Sequence, residues 1–266
     1  MNSKKWILLL VISISAFSCT NKTDNKEASD SSQWVSLFNG KNLEGWVVKI
    51  NKYELGDNYK NTFRVTDGVI QVNYDGYDAF DQRFGHIFYT QPFSSYHLKF
   101  EYRFTDQWLN DAPDYTILNS GVMFHSQDPK TILKDQDWPI SIEYQLLAGE
   151  ENGEPHPTGN MCSPGTNVMY NNTLDPRHCI NSTSPTYKWD EWVRGELIVY
   201  EDSIAIHIVN GDTVLQYTNM QIGDDVVNGF DPAIKIDGKP LKEGFIALQS
   251  EGQGVEFREI QIKDLK

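Results

Sequence analysis

The sequence predicts an all-β protein, an antiparallel two-sheet sandwich or jelly roll. Three observations lead there. Short runs rich in Val, Ile, Phe, Tyr and Trp recur with period-two alternation between residues 63 and 262. Turn residues separate many of them. Helical periodicity is almost absent. With 39% hydrophobic and 12% aromatic residues in a chain of 266, there is ample material for one large β domain.

The elements follow in order. Residues 63–65 and 69–72 flank Thr66-Asp67-Gly68, a hairpin turn because Asp-Gly accepts the positive φ that tight hairpins require. Strands are expected at 86–90, 96–104, 121–125, 140–147, 192–200, 204–209, 213–217, 244–249 and 255–262. Glu201-Asp202-Ser203 and Asn210-Gly211 read as turns between runs. Residues 149–189 are the exception. This stretch carries Pro, Asn and Cys without clear periodicity. Loops of such length are functional or disordered, and a cysteine pair within it argues for order.

The first residues read as a targeting segment. Lys4 and Lys5 form a basic start, and residues 6–16 form an apolar run too short for a spanning helix of about 20 residues. Ala16-Phe17-Ser18-Cys19 then looks like a lipobox, with Cys19 as the acylated first residue of the mature chain. Phe17 and Ala16 depart from the usual residues there. Residues 20–33 are polar enough to form a flexible tether, leaving 34–266 as one β-sandwich domain. The expected location is outside the cytoplasm, on a bacterial membrane through a lipid anchor only.

A formal net charge of -14, with no Lys/Arg cluster, argues against nucleic acid as a partner. Neutral ligands suit such a surface. Cys162 and Cys179 remain after Cys19. In an oxidising compartment they are expected to pair as a disulfide. Zinc is the rival reading, because His156 and His178 lie nearby. There is no C-x-x-C spacing, however, and His178 directly precedes Cys179, which is poor chelate spacing.

Alternation places selected polar residues on common faces. Glu143 and Gln145 lie opposite Ile142, Tyr144 and Leu146. Glu101 and Arg103 lie opposite Phe100 and Tyr102. Asn119, Gly121, Met123 and His125 share a face, as do Gln249 and Glu251. If the strands are neighbours, one sheet presents carboxylate, amide, imidazole and guanidinium together. Sugar hydroxyls need such mixed donors and acceptors. Trp108, Trp138, Trp189 and Trp192 are placed to stack on pyranose faces. Each residue alone also has an ordinary reading: a surface Glu, a cross-strand Glu101–Arg103 ion pair, a solvated His125.

The same residues carry a resemblance. Ser36-Leu37-Phe38-Asn39-Gly40-Lys41-Asn42-Leu43-Glu44-Gly45-Trp46 resembles the opening motif of the 3-keto-disaccharide hydrolase domain family. Asn119-Ser120-Gly121-Val122-Met123-Phe124 resembles its central strand, and Glu143-Tyr144-Gln145-Leu146 its Glu-x-Gln strand. Trp189-Asp190-Glu191-Trp192-Val193 and Val209-Asn210-Gly211 resemble later landmarks. Gly244-Phe245-Ile246-Ala247-Leu248-Gln249-Ser250-Glu251-Gly252 and Phe257-Arg258-Glu259-Ile260 resemble the closing pair of strands. The resemblance spans nearly all of 34–266. The residues 159–166 and His178-Cys179 depart from the simplest pattern and suggest a distinct branch.

The resemblance implies a concanavalin A-like jelly roll and cleavage of glycosides already oxidised to a ketone at C3. A C3 carbonyl acidifies the C2 proton beside the anomeric carbon. Removing that proton gives an enolate that expels the C1 substituent, and water then adds back. The expected base is His125 or Glu143, with Arg103 stabilising the oxyanion. Glu101, Asn119, Gln145 and Gln249 would orient hydroxyls, with His86 and His156 in reserve. No cofactor is demanded. A divalent cation is left open, although no contiguous Asp/Asn loop requires one. Two other readings stand beside this: hydrolysis by paired carboxylates such as Glu143 with Glu101 or Glu251, and a lectin-like module without turnover.

Overall fold

The computed structural model describes residues 33–149 and 153–266. The leader, Cys19 and nearly all of the tether therefore lie outside the described residues. Contacts group 31–266 into one unit.

Two antiparallel sheets build that unit, with strands numbered along the chain. Across the larger sheet run β11 (Thr173–Leu174), β10 (Thr166–Tyr170), β15 (Asp212–Ile222), β14 (Ile204–Val209), β13 (Val193–Tyr200), β6 (Ser95–Trp108), β17 (Gln253–Asp264), β4 (Val69–Val72) and β3 (Phe63–Thr66). β1 (Val35–Ser36) adds to β17. The smaller sheet runs β12 (Cys179–Ile180), β9 (Asn160–Cys162), β8 (Ile142–Leu147), β7 (Asn119–Ser126), β16 (Phe245–Ser250), β5 (Gly85–Tyr89) and β2 (Trp46–Ile50). This is the antiparallel jelly-roll sandwich that the strand pattern predicts. Only single 3-10 turns interrupt it among the described residues.

Local chemistry sets the hairpins. Asp67 and Gly68 take φ of 49° and 81°, and Asn210 and Gly211 take 48° and 95°. Each pair forms a two-residue connection, Thr66 pairing with Val69 and Val209 with Asp212. A third hairpin turns on Asn171 and Asn172, at 51° and 64°. These are the residues that tolerate two successive positive φ values. The stretch 149–189, expected to be ordered by its cysteines, supplies four short strands.

Between the sheets lies an aromatic core. On β6, Tyr96, Leu98, Phe100, Tyr102 and Phe104 point inward and are at most 1% exposed. Tyr144 of β8 meets Phe100 with ring centroids 5.4 Å apart, and its hydroxyl donates to the Ile208 carbonyl at 2.8 Å. His207 stacks on Tyr144 at 4.4 Å. One His207 nitrogen bonds the Gly159 carbonyl and the other the Tyr217 hydroxyl. Burial holds its pKa down, at about 4, so it sits neutral and fully satisfied.

The topology corrects two expectations about the site. β6 belongs to the larger sheet, and its outward residues Glu101 and Arg103 lie on that sheet's outer face. Arg103 Nε donates to Glu256 Oε2 at 2.7 Å, and Arg258 Nε donates to Glu101 Oε2 at 2.7 Å. Both guanidiniums stack on Trp192, at 4.7 and 3.9 Å. Alternation identifies a strand's faces but not its neighbours, which is why Glu101 and Arg103 read as companions of Glu143.

His125 is the second correction. Ser126 pairs with Phe245 and Met123 with Ala247, so Phe124 and His125 together oppose Ile246 alone. This β-bulge gives His125 a φ of 46° and breaks the alternation. Gly244 makes room, since a Cβ there would overlap the His125 backbone. His125 turns toward Tyr96 of the opposite sheet, and Nε2 donates to the Glu201 carbonyl at 2.8 Å. It does not share the face of Asn119, Gly121 and Met123.

Candidate active site

The outer face of the smaller sheet carries a cavity of about 580 Å³. Cross-strand register builds its floor. Gly121 of β7 pairs with Gln145 of β8, and Met123 pairs with Glu143. Glu143 pairs in turn with Cys162 of β9, and Cys162 with Cys179 of β12. Directly opposed residues share a face, so Asn119, Glu143, Gln145 and the two cysteines are neighbours on it.

Gly121 decides where the Glu143 carboxyl lies. A Cβ on Gly121 would overlap Glu143 Oε1, Cγ and Cδ. The missing side chain therefore lets Glu143 lean across β7 toward Glu251, which follows directly on β16. Trp138 Nε1 donates to Glu251 Oε1 at 2.9 Å. Glu143 and Glu251 are 7% and 4% exposed. No lysine or arginine lines the cavity among the described residues.

Two buried carboxyls without a cation cannot both ionise at low cost. Burial raises the Glu143 pKa well above the usual range, and the charge on Glu251 raises it further. Burial raises Glu251 to about 7, opposed by the Trp138 hydrogen bond, which favours its ionised form. The two carboxyls therefore ionise one at a time, and the Trp138 hydrogen bond favours Glu251 as the first to carry the charge. One carboxyl is then an acid and the other a base.

A relay of amides lies beside the pair. The Ser182 N–H donates to Asn160 Oδ1, and Asn160 Nδ2 donates to the Pro157 carbonyl and to Gln145 Oε1. Gln145 Nε2 reaches Asn119 Oδ1 at 3.4 Å, and Asn119 Nδ2 donates to the Tyr115 carbonyl at 3.0 Å. Backbone groups at both ends fix the orientation of all three amides. Gln145 retains one N–H for a ligand. His156 also lines the cavity. Its Nδ1 donates to the Ala148 carbonyl at 2.9 Å, which leaves Nε2 as an acceptor. Tyr115 is 57% exposed as a whole, but partial cover, with the charges of Glu251 and Asp137, pushes its hydroxyl up to about 12, so it stays a donor.

Gln249 and His86 share this sheet face but not the cavity. They pair across β16 and β5 and are 1% and 2% exposed. Beside them Phe88, Met123 and Ala247 are covered by Ile132, Trp138 and Phe245. Gln249 Oε1 and His86 Nε2 are buried without a hydrogen-bond partner. Burial and the Lys49 charge lower the His86 pKa to about 3. A roof formed by residues after β7 seals both residues, and period-two reading has no means of seeing a roof.

Cys162 and Cys179 are joined by a disulfide. Their sulfurs and a His178 nitrogen lie within 4.8 Å of one another, yet the S–S bond leaves no thiolate for a metal. The bond forms part of the cavity wall with Pro164 and Val226.

Residues 33–263 match the model of the 3-keto-alpha-glucoside-1,2-lyase-like domain. The chain belongs to this family. A 3-keto-disaccharide hydrolase from Bacteroides thetaiotaomicron is 23% identical over 256 residues, covering 89% of this chain and 80% of the relative. Two crystal structures of putative glycosyl hydrolases from Parabacteroides distasonis share the fold, each with a TM-score of 0.51. One is 21% identical and covers 88% of this chain and 94% of its own; the other is 19% identical, with 88% and 100%. In this member of the 3-keto-alpha-glucoside-1,2-lyase-like family, Glu143, Gln145, Asn119 and His156 meet at one cavity, whereas Arg103, Glu101, His125, Gln249 and His86 do not. The sequence offered a signal for Glu251, which shares a face with Gln249, and for Trp138 as a stacking candidate. It offered none for Tyr115.

Proposed function

We propose that this chain is a carbohydrate-active enzyme that cleaves the C1–O bond of glycosides carrying a C3 ketone. The Glu143–Glu251 pair carries the reading, because it places one acid and one base in a single cavity. The Glu251 carboxylate takes the C2 proton. The electron pair left on C2 is delocalised onto the C3 oxygen as an enolate, which then expels the C1 oxygen and leaves a C1–C2 double bond. The Glu143 carboxyl gives its proton to the departing oxygen. Water adds at C1 with Glu143 taking its proton, and Glu251 returns a proton to C2. Gln145 and Tyr115 are the neutral donors for the enolate oxygen, in place of the distant Arg103. His156 and Asn119 hold ring hydroxyls.

Incubation with a 3-keto-glucoside in heavy water tests this. Deuterium at C2 and a transient ultraviolet-absorbing enone are expected. Sugar release with neither would favour direct hydrolysis by the two carboxyls. Glycan binding without turnover on any 3-keto-glycoside would leave a lectin-like module. The leader and Cys19 support export and a lipid anchor. Incorporation of labelled fatty acid, lost in Cys19→Ala, is the matching test.

A further inference from the structure

The cavity is chemically lopsided about Glu143. Toward β7 and β16 lie Asn119, Trp138 and Glu251, with Gln145 beside Glu143 on β8 itself. Toward the sheet edge the floor is Cys162, then Cys179, joined as a disulfide. Strand spacing puts Cys162 about 4.8 Å and Cys179 about 10 Å from Glu143 across the sheet. Pro164 and Val226 continue this wall.

That edge side has little to offer a hydroxyl. The ladder pairs β9 with β8 and β12. The Pro164 carbonyl accepts from the Ser141 N–H, and the Ser163 N–H donates to the His178 carbonyl. The His178 imidazole is the polar side chain there, and its Nδ1 already faces Asp224 Oδ2 at 3.3 Å. A second sugar ring would bring several hydroxyls, with a single imidazole nitrogen, His178 Nε2, left to replace the water they lose. An apolar group would instead meet sulfur, proline and valine.

The reaction fixes which end of a substrate lies on that side. Glu251 works at C2 and Glu143 protonates the leaving oxygen, so the leaving group extends past Glu143 toward the edge. We infer that the disulfide wall is a leaving-group subsite for an apolar alcohol, such as an arylmethyl or terpenoid alcohol, in preference to a second sugar. This rests on the reaction proposed above for the orientation, while the wall's own preference is independent of turnover.

The test uses a matched pair, a benzyl glucoside and a glucosyl-glucose of the same anomeric configuration. Both leaving groups are alkoxides, which keeps leaving ability comparable. Calorimetry on the unoxidised, unreactive pair reads the wall alone, and benzyl glucoside is expected to bind at least tenfold more tightly. Turnover of the 3-keto forms should favour benzyl at least tenfold in kcat/KM. Val226→Ser should lower that ratio. Equal or tighter binding of the disaccharide would overturn the inference. Tight benzyl binding with no turnover of either 3-keto form would leave the subsite standing and sink the reaction.

Discussion

The two outer faces of the sandwich use similar side chains to opposite ends. On the larger sheet Glu101, Glu196 and Glu256 each have a cation. Arg103 holds Glu256, Arg258 holds Glu101, and Arg194, Lys99 and His97 surround Glu196. Arg103 and Arg258 are 40% and 39% exposed at the side chain. On the smaller sheet Glu143 and Glu251 are buried in a cavity that no lysine or arginine lines among the described residues. Paired surface charge does little beyond solubility and local order. Unpaired buried charge costs stability, and a fold that retains it has placed reactivity there. Composition and alternation are nearly the same on both faces, so partners and burial carry the distinction.

The largest effect that would break this contrast is on rate. Glu251→Gln and Glu143→Gln should each lower kcat on a 3-keto-glycoside by roughly 10²–10⁴-fold, while Glu101→Gln on the opposite face should leave it within twofold. Steady-state kinetics with circular dichroism as a fold control measures both. A Glu101→Gln loss as deep as the Glu251→Gln loss would mean that the face is wrongly assigned.

Stability gives the next effect, with a definite sign. Glu251 rises from 4.5 to about 7 on folding. Below pH 4.5 both states hold the proton and the full contribution is present. As pH climbs through about 7 the folded state must ionise a buried carboxyl, and stability is lost. The difference corresponds to roughly 3 kcal/mol at most. Urea melts at pH 5 and pH 8 should show a wild-type loss of that order, with a clearly smaller loss in Glu251→Gln. Identical losses in both proteins would remove the unpaired-charge argument.

Gly121→Ala sharpens the comparison further. The new Cβ would overlap the Glu143 carboxyl, so Glu143 must rotate away from Glu251. A fall of roughly 10–100-fold in kcat is expected, with KM changing much less, because a displaced acid mainly affects the transition state. The neighbouring Ser120, on the core side, offers no such contact with Glu143.

Much of this is legible in the sequence, for reasons that differ from residue to residue. The pairing of Glu143 with Gln145 follows from period two on a single strand, and the Asp67-Gly68 and Asn210-Gly211 turns follow from backbone freedom. The sheet to which β6 belongs was not legible, because alternation carries no information about neighbours. His125 was lost to one extra residue in β7, which no local pattern marks. Gln249 and His86 lie on the expected face under a roof made by residues after β7. β9 and β12, which bring the disulfide wall to Glu143, are three and two residues long, too short for periodicity to declare itself.

The smallest effect is also the cleanest control. Arg103→Met removes the guanidinium from Glu256 but keeps a long apolar stem against Trp192. The pair is two-fifths exposed on the arginine side, so solvent screens it, and a loss of about 0–1 kcal/mol is expected in denaturant melts. Activity on a 3-keto-glycoside should be unchanged, since no atom of Arg103 approaches the cavity. An arginine that stabilised the enolate oxygen would behave in the opposite way, with little change in stability and a deep loss of kcat. The two observables thus separate a clasp on one face from a catalytic group on the other, using the residue that the sequence pattern alone would have placed in the site.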